Sequence, residues 1–191
     1  MGEKVNKISS LRYLHSLGLN TPRILLELYG KEDLEKWQNY YATHEGRVSL
    51  RTEKGDDFKC PHHPNIKLNK ATIEVKYLLS QGYKVYVFEA IDPANCLSRG
   101  NFIYGSDGIS TVEYMLGPGT VRDLERAPDE LINRESFRAL DGVKDQHIHT
   151  VVAKLIPLVK WKDQIVEWSY YNKAVGNRSD YVIFWEIRPW R

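Results

Sequence analysis

Glu167, Glu186 and Arg188 are the residues whose types and spacing could do chemistry. The run Tyr181 to Ile187 is β-branched and aromatic, as a strand requires. Alternate residues of a strand share a face. Trp185 and Ile187 are therefore expected on one side, and Phe184, Glu186 and Arg188 on the other. Glu167 lies in a second strand-like run, Gln164 to Tyr170, and the nine residues Asn172 to Asp180 can form a long hairpin loop between the two. Pairing of these strands brings Glu167 toward Glu186. Two convergent carboxylates beside an arginine suit Mg²⁺ and phosphate, because Mg²⁺ takes one or two carboxylates together with phosphate oxygens. The same spacing also fits an edge hairpin carrying a surface ion pair.

Other elements must hold these groups. Lys7 to Leu17 reads as a short amphipathic helix with Ile8, Leu11 and Leu14 on one stripe, capped by Asn6 and ended by Gly18. A short apolar run, Ile24 to Leu28, precedes a second helix over Lys31 to Thr43. Gly46 to Thr52 is a strand with Val48 and Leu50 inward and Arg47, Ser49 and Arg51 on the other face. Asn69 to Gln81 is a helix capped by Asn69. The strongest strand, Tyr83 to Ile91, stops at Asp92-Pro93. Phe102 to Tyr104 and Ser110 to Met115 read as short strands, Pro128 to Leu140 as a helix. Val143 to Trp161 is the best helix, with Pro157 kinking or ending it. Helices and strands do not alternate strictly, so the fold class is α+β.

Residues 52 to 68 read as a polar, irregular loop, suited to act as a lid. The loop contains Cys60-Pro61-His62-His63, but a structural zinc takes four ligands, and only Cys96 and distant histidines could complete the set.

A chain of 191 residues makes one domain, or one domain of two lobes, with residues 1–82 and 83–191 as the expected division. Its hydrophobic share of 42% supports a core, and a net charge of +2 does not by itself argue for nucleic acid. Two cysteines make no disulfide framework. The first residues lack the apolar core of a signal peptide, and no apolar stretch approaches the ~18 residues of a membrane span, so a cytoplasmic protein is expected. Gly-x-Gly-x-x-Gly and Walker loops are absent, so a nucleotide must be held in another way.

Four segments resemble one family. Lys7-Ile8-Ser9-Ser10-Leu11, with Leu17-Gly18-Leu19 and Pro22, is similar to the opening of the ATP-binding domain of phosphoenolpyruvate synthase and pyruvate phosphate dikinase. Val48-Ser49-Leu50-Arg51-Thr52 resembles that family's Val-x-Val-Arg-Ser strand. Val166-Glu167-Trp168 and Glu186-Ile187-Arg188-Pro189 resemble its closing Ile-Glu-Trp and Gln-x-Arg-Pro elements. The resemblance spans the chain in the family's order. It implies an ATP-grasp fold, two small α+β lobes with mixed or antiparallel sheets and ATP between them.

By this resemblance Lys7 and Arg51 hold the ATP phosphates and the segment Phe88-Glu89-Ala90-Ile91 presents its backbone to adenine, with Asp92 on the ribose. Glu167 and Glu186 bind Mg²⁺, and Arg188 stabilises the transferred phosphoryl group. Phosphoryl transfer relies on positioning and charge neutralisation, which these residue types supply.

The chain also departs from the family. Paired glycines before the lysine are missing, Glu186 replaces a glutamine, and the glycine-rich loops over ATP are missing or shortened. The chain has no room for the phosphohistidine domain or the pyruvate-binding barrel, so the expectation is that either another protein supplies the phosphoryl acceptor or the domain does something else with ATP. The competing expectation is a non-enzymatic binding module for nucleic acid or protein. It rests on Trp161, Trp168, Tyr170, Tyr171, Trp185 and Trp190 interleaved with basic residues, a pattern that can stack bases.

Overall fold

The computed structural model describes residues 6–55, 60–105, 107–138, 142–143, 145–158 and 163–189. They form two compact units, one from residues 23–92 and the other from residues 1–22 together with 93–191. The division falls after residue 92 because strand β4 (Lys84–Glu89) is central to the sheet of the first unit.

That sheet is antiparallel, in the order β1-β4-β2-β3, with β1 at Ile24–Leu28, β2 at Arg47–Glu53 and β3 at His62–Lys67. Helices α2 (Leu34–Thr43) and α3 (Leu68–Ser80) bury Trp37, Val75 and Leu78 against Val48, Leu50 and Val87. Strand β3 corrects the expectation of an irregular loop at 52–68, although residues 56–59 lie outside the described ones. Its polar side chains hid it, since the unit core draws only Ile66 from this strand. Asn69 is not the cap of α3. That position is Lys67, and the Asn69 Oδ1 accepts from the Lys70 N–H.

The larger unit carries a five-stranded antiparallel sheet in the order β7-β6-β5-β8-β9. Its strands are β5 (Cys96–Tyr104), β6 (Ser110–Leu116), β7 (Asn133–Phe137), β8 (Gln164–Val175) and β9 (Asp180–Pro189). Phe102, Val112, Val166, Trp168 and Phe184 point to one face, where Ile148, Val151 and Leu155 of α5 (Gln146–Leu155) cover them. The Asp145 carboxylate caps α5 by accepting from the His147 and Ile148 N–H groups.

Two sequence expectations fail here. Pro128 to Leu140 is not a helix but a short 3-10 turn, Asp129–Leu131, followed by β7, with 139–140 outside the described residues. The edge of β6 offers this segment a hydrogen-bonded ladder, which outweighs its local preference. Within the helix expected over Val143 to Trp161, Gln146–Leu155 is helical and Ile156–Leu158, which contains Pro157, is a 3-10 turn, while residue 144 lies outside the described ones. Residues 159–162 lie outside the described ones.

Helix α1 (Lys7–Ser16) forms as its sequence dictates. Asn6 Oδ1 accepts from the Ile8 and Ser9 N–H groups, and Ile8, Leu11 and Leu14 are buried. Gly18 ends it at φ +84°, a conformation open to glycine. The chain then runs beside the β8–β9 hairpin. Buried Asn20 donates to the carbonyls of Val175 and Val182, both at 2.8 Å, and its Oδ1 accepts from the Arg178 N–H. Asn20→Ala should strip these backbone groups of partners and cost about 3 kcal/mol of stability in urea denaturation. A loss below about 1 kcal/mol would show that the hairpin does not depend on this side chain.

Candidate active site

The residues singled out at the C-terminus meet on the face of the five-stranded sheet opposite the core. In β8, Val166 and Trp168 enter the core, so Glu167 between them projects the other way. Its partner across the ladder is Glu186. The pairing register then shifts by one residue, since Trp168 faces Phe184 and Trp185 is left over as a bulge. Simple alternation is thereby broken. Phe184 and Ile187, three apart, both enter the core. The expected grouping of Phe184 with Glu186 and Arg188, and of Trp185 with Ile187, is corrected accordingly. Glu186 and Arg188 keep a common face, and it is the face of Glu167.

Lys7, from the first turn of α1, completes the cluster. Its ammonium contacts Glu186 Oε2 and lies 3.8 Å from Glu167 Oε2. The Arg188 Nε lies 3.8 Å from Glu167 Oε1 and 4.0 Å from Glu186 Oε1. Each cation thus bridges both carboxylates from its own side. The glutamate side chains are only 10% and 12% exposed, whereas Lys7 and Arg188 are 38% and 37% exposed. The anions are held in the wall, and the cations reach toward solvent.

Ser10 fixes the helix that carries Lys7. One turn on, its hydroxyl donates to the Ile187 carbonyl at 3.1 Å and accepts from the Ile187 N–H at 2.6 Å. The edge of β9 is thereby tied to α1, and Lys7 is set over Glu186. Sequence alone marked Ser10 only as part of a resembling segment, because its partner lies 177 residues away.

Burial raises the Glu167 carboxyl above its ordinary range. Lys7 and Arg188 oppose that shift, while Glu186 and Glu125 add to it. Glu125 follows the short helix α4 (Val121–Leu124), whose loop is held to this face by Arg99 through the carbonyls of Gly117 and Thr120.

The donor set fits a hard divalent cation: two carboxylates on neighbouring strands, and beside them the buried Asn101 of β5, directly across from Glu167, whose Oδ1 has no hydrogen-bond partner. Among the described residues no three His, Cys, Asp or Glu side chains converge.

Arg51, Glu89, Ala90, Ile91 and Asp92 lie in the unit of residues 23–92. Arg51 is half-buried on β2, across from His62 on one side and Tyr86 on the other. Glu89 ends β4, where its carboxylate accepts from the Arg23 N–H and its own N–H donates to the Arg23 carbonyl. Ala90 and Ile91 are half-buried beyond the strand, and Asp92 is exposed. His63 pairs with Glu74 at 3.7 Å. Burial pushes the Cys96 thiol up to about 11, which disfavours the thiolate a zinc site needs. Of the aromatics proposed for base stacking, Trp168 and Tyr171 are buried and Trp185 donates to Ser169 Oγ, while Trp161 and Trp190 lie outside the described residues.

No family model and no curated protein matches the chain. Its fold matches solved structures. D-alanyl-alanine synthetase A from Vibrio cholerae O1 biovar eltor superposes with a TM-score of 0.55 at 13% identity, over 96% of this chain and 55% of that one. N5-carboxyaminoimidazole synthetase from Staphylococcus aureus complexed with ADP gives 0.54 at 12%, over 97% of this chain and 44% of that one. This chain spans about half the length of those synthetases. At such identities the likeness is one of fold, an ATP-grasp-like α+β arrangement with two antiparallel sheets. The narrower resemblance to phosphoenolpyruvate synthase rests on its four segments. No described helix is long and apolar enough to cross a membrane.

A raised carboxyl pKa has a definite sign in stability. Protonated Glu167 costs nothing extra below the ordinary carboxylate range. Its ionisation penalty sets in as pH rises through the unfolded value and is complete above the folded one. In metal-free thermal melts from about pH 4 to about pH 7, Glu167→Gln should therefore gain on the wild type as pH rises. A difference that is flat or falls with pH would contradict the raised value.

Proposed function

We propose that this chain binds Mg-ATP and passes a phosphoryl group to an acceptor held by a separate protein, as a phosphotransferase or a ligase. The observation that carries this reading is the convergence of Lys7, Glu167, Glu186 and Arg188 on one sheet face. Support comes from the fold, which is shared with two synthetases, one of them solved with ADP. The four-segment resemblance to the ATP-binding domain of phosphoenolpyruvate synthase and pyruvate phosphate dikinase points the same way.

In this reading Glu167 and Glu186 hold Mg²⁺, which when bound supplies positive charge at the phosphate oxygens. Lys7 and Arg188 are each more than one-third exposed, so each has room to turn from the carboxylates to a phosphate. Lys7 offers a compact point charge and Arg188 a planar fork that suits the equatorial oxygens of a transferring phosphoryl group. Arg51 contributes a second guanidinium to the phosphates. Glu89, Ala90 and Ile91 offer backbone groups to adenine, and Asp92 accepts from the ribose hydroxyls. The nearest acceptor chemistry is a carboxylate or an imidazole: its oxygen or nitrogen bonds to the γ-phosphorus as the bond to ADP breaks.

A ligand that binds only the folded chain raises its melting temperature by mass action. ATP with Mg²⁺ should raise it, and ATP without Mg²⁺ should do so less. Lys7→Ala and Glu186→Ala should each abolish the rise while leaving the unliganded protein folded. Unchanged affinity in both variants would remove these residues from the site. A nucleic-acid module would instead show binding that falls steeply with salt and ignores both substitutions.

A further inference from the structure

We infer that Asn101 is a third oxygen ligand of the divalent cation, supplied by β5 beside the two glutamates. The inference rests on the proposed Mg-ATP site and extends its donor set. Asn101 is 8% exposed, and its Oδ1 is fully buried without a hydrogen-bond partner. Such an atom costs the folded state its lost hydration and has to be explained by something else it does. Its position supplies the explanation. Asn101 is directly opposite Glu167 in the β5–β8 ladder, so the two side chains rise from the same face about 5 Å apart at their Cβ atoms. Glu186 is next to Glu167 in the following strand. Asn101, Glu167 and Glu186 thus form one row across three strands.

The neighbouring charges leave this role to Asn101. Across from it on β6 lies Glu113, but that carboxylate is turned to Arg134 Nε at 2.9 Å. Arg99, two residues earlier on β5, is committed to the carbonyls of Gly117 and Thr120. All four oxygens of Glu167 and Glu186 already face Lys7 or Arg188. The Asn101 amide oxygen accepts a hydrogen bond from neither. The Glu125 charge acts on Glu167, but no three acidic, histidine or cysteine side chains gather closely enough to hold a metal among the described residues, so a neutral oxygen is the further donor on offer. Amide oxygens are ordinary ligands of hard cations, and a neutral one adds no repulsion between buried carboxylates.

The test uses Mn²⁺ as the probe, followed by the loss of the free-ion electron paramagnetic resonance signal, with the whole chain and no nucleotide. Asn101→Leu keeps the shape and removes the oxygen. It should weaken Mn²⁺ at least about tenfold, while the metal-free melting temperature stays level or rises, because an orphaned acceptor has been replaced by carbon. Asn101→Asp, which keeps an oxygen, should bind Mn²⁺ at least as well as the wild type. A purely structural asparagine would give the opposite pattern, with lower stability in Asn101→Leu and equal Mn²⁺ affinity. Equal affinity in wild type and Asn101→Leu overturns the role of Asn101 and leaves the nucleotide reading standing. Absence of Mn²⁺ binding to the wild type overturns it as well, and the ATP melting shift then decides separately whether the nucleotide reading falls with it.

Discussion

Two carboxylates buried side by side across a β-ladder are a constraint that the rest of the larger unit must answer. Glu167 has little water to screen it, and the neighbouring Glu186 charge further disfavours its ionisation. The structure answers with two cations that bridge the pair from opposite sides, one from the strand itself and one from the first helix. The Ser10 bonds to Ile187, the Asn20 clamp on the hairpin and the bulge at Trp185 then serve one geometric end. They keep the anions adjacent and bring Lys7 within reach of both.

A cluster built in this way holds charge in excess of what stability asks for. Buried ion pairs add little to net stability, since desolvation cancels most of the attraction. Here the cations remain one-third exposed while the anions are enclosed, so the pairing can be exchanged from the solvent side. That asymmetry suits a site whose carboxylates stay fixed while their positive partners change. The orphaned Asn101 oxygen, lying in the same row, fits such a design better than it fits a core arranged for stability alone.

Much of this was legible in the chain. Asn6 and Gly18 marked both ends of α1, and period-two alternation placed Val48 and Leu50 inward on β2. The chemistry of Glu167, Glu186 and Arg188 was visible as residue types on two adjacent strand-like runs. Less was legible where long-range pairing overrode local preference. The polar stretch Ser98-Arg99-Gly100-Asn101 hid two-thirds of β5, so the alternation that places Asn101 opposite Glu167 had no visible starting point. β3 and β7 likewise exist because a neighbouring strand completes their ladders, not because their residues favour strands strongly.

The sequence by itself determined the α+β class, the first helix with its caps, and the presence of two carboxylates and an arginine at the close of the chain. Those are matters of local spacing, carried by residues within a few positions of one another. The tertiary structure alone decided that Trp185 is a bulge, that Phe184 and Ile187 share the core face, and that Lys7 rests on both glutamates. Each of these depends on register between distant strands or on a bond such as Ser10 to Ile187, and a one-residue slip in register sends a side chain to the opposite face of a sheet.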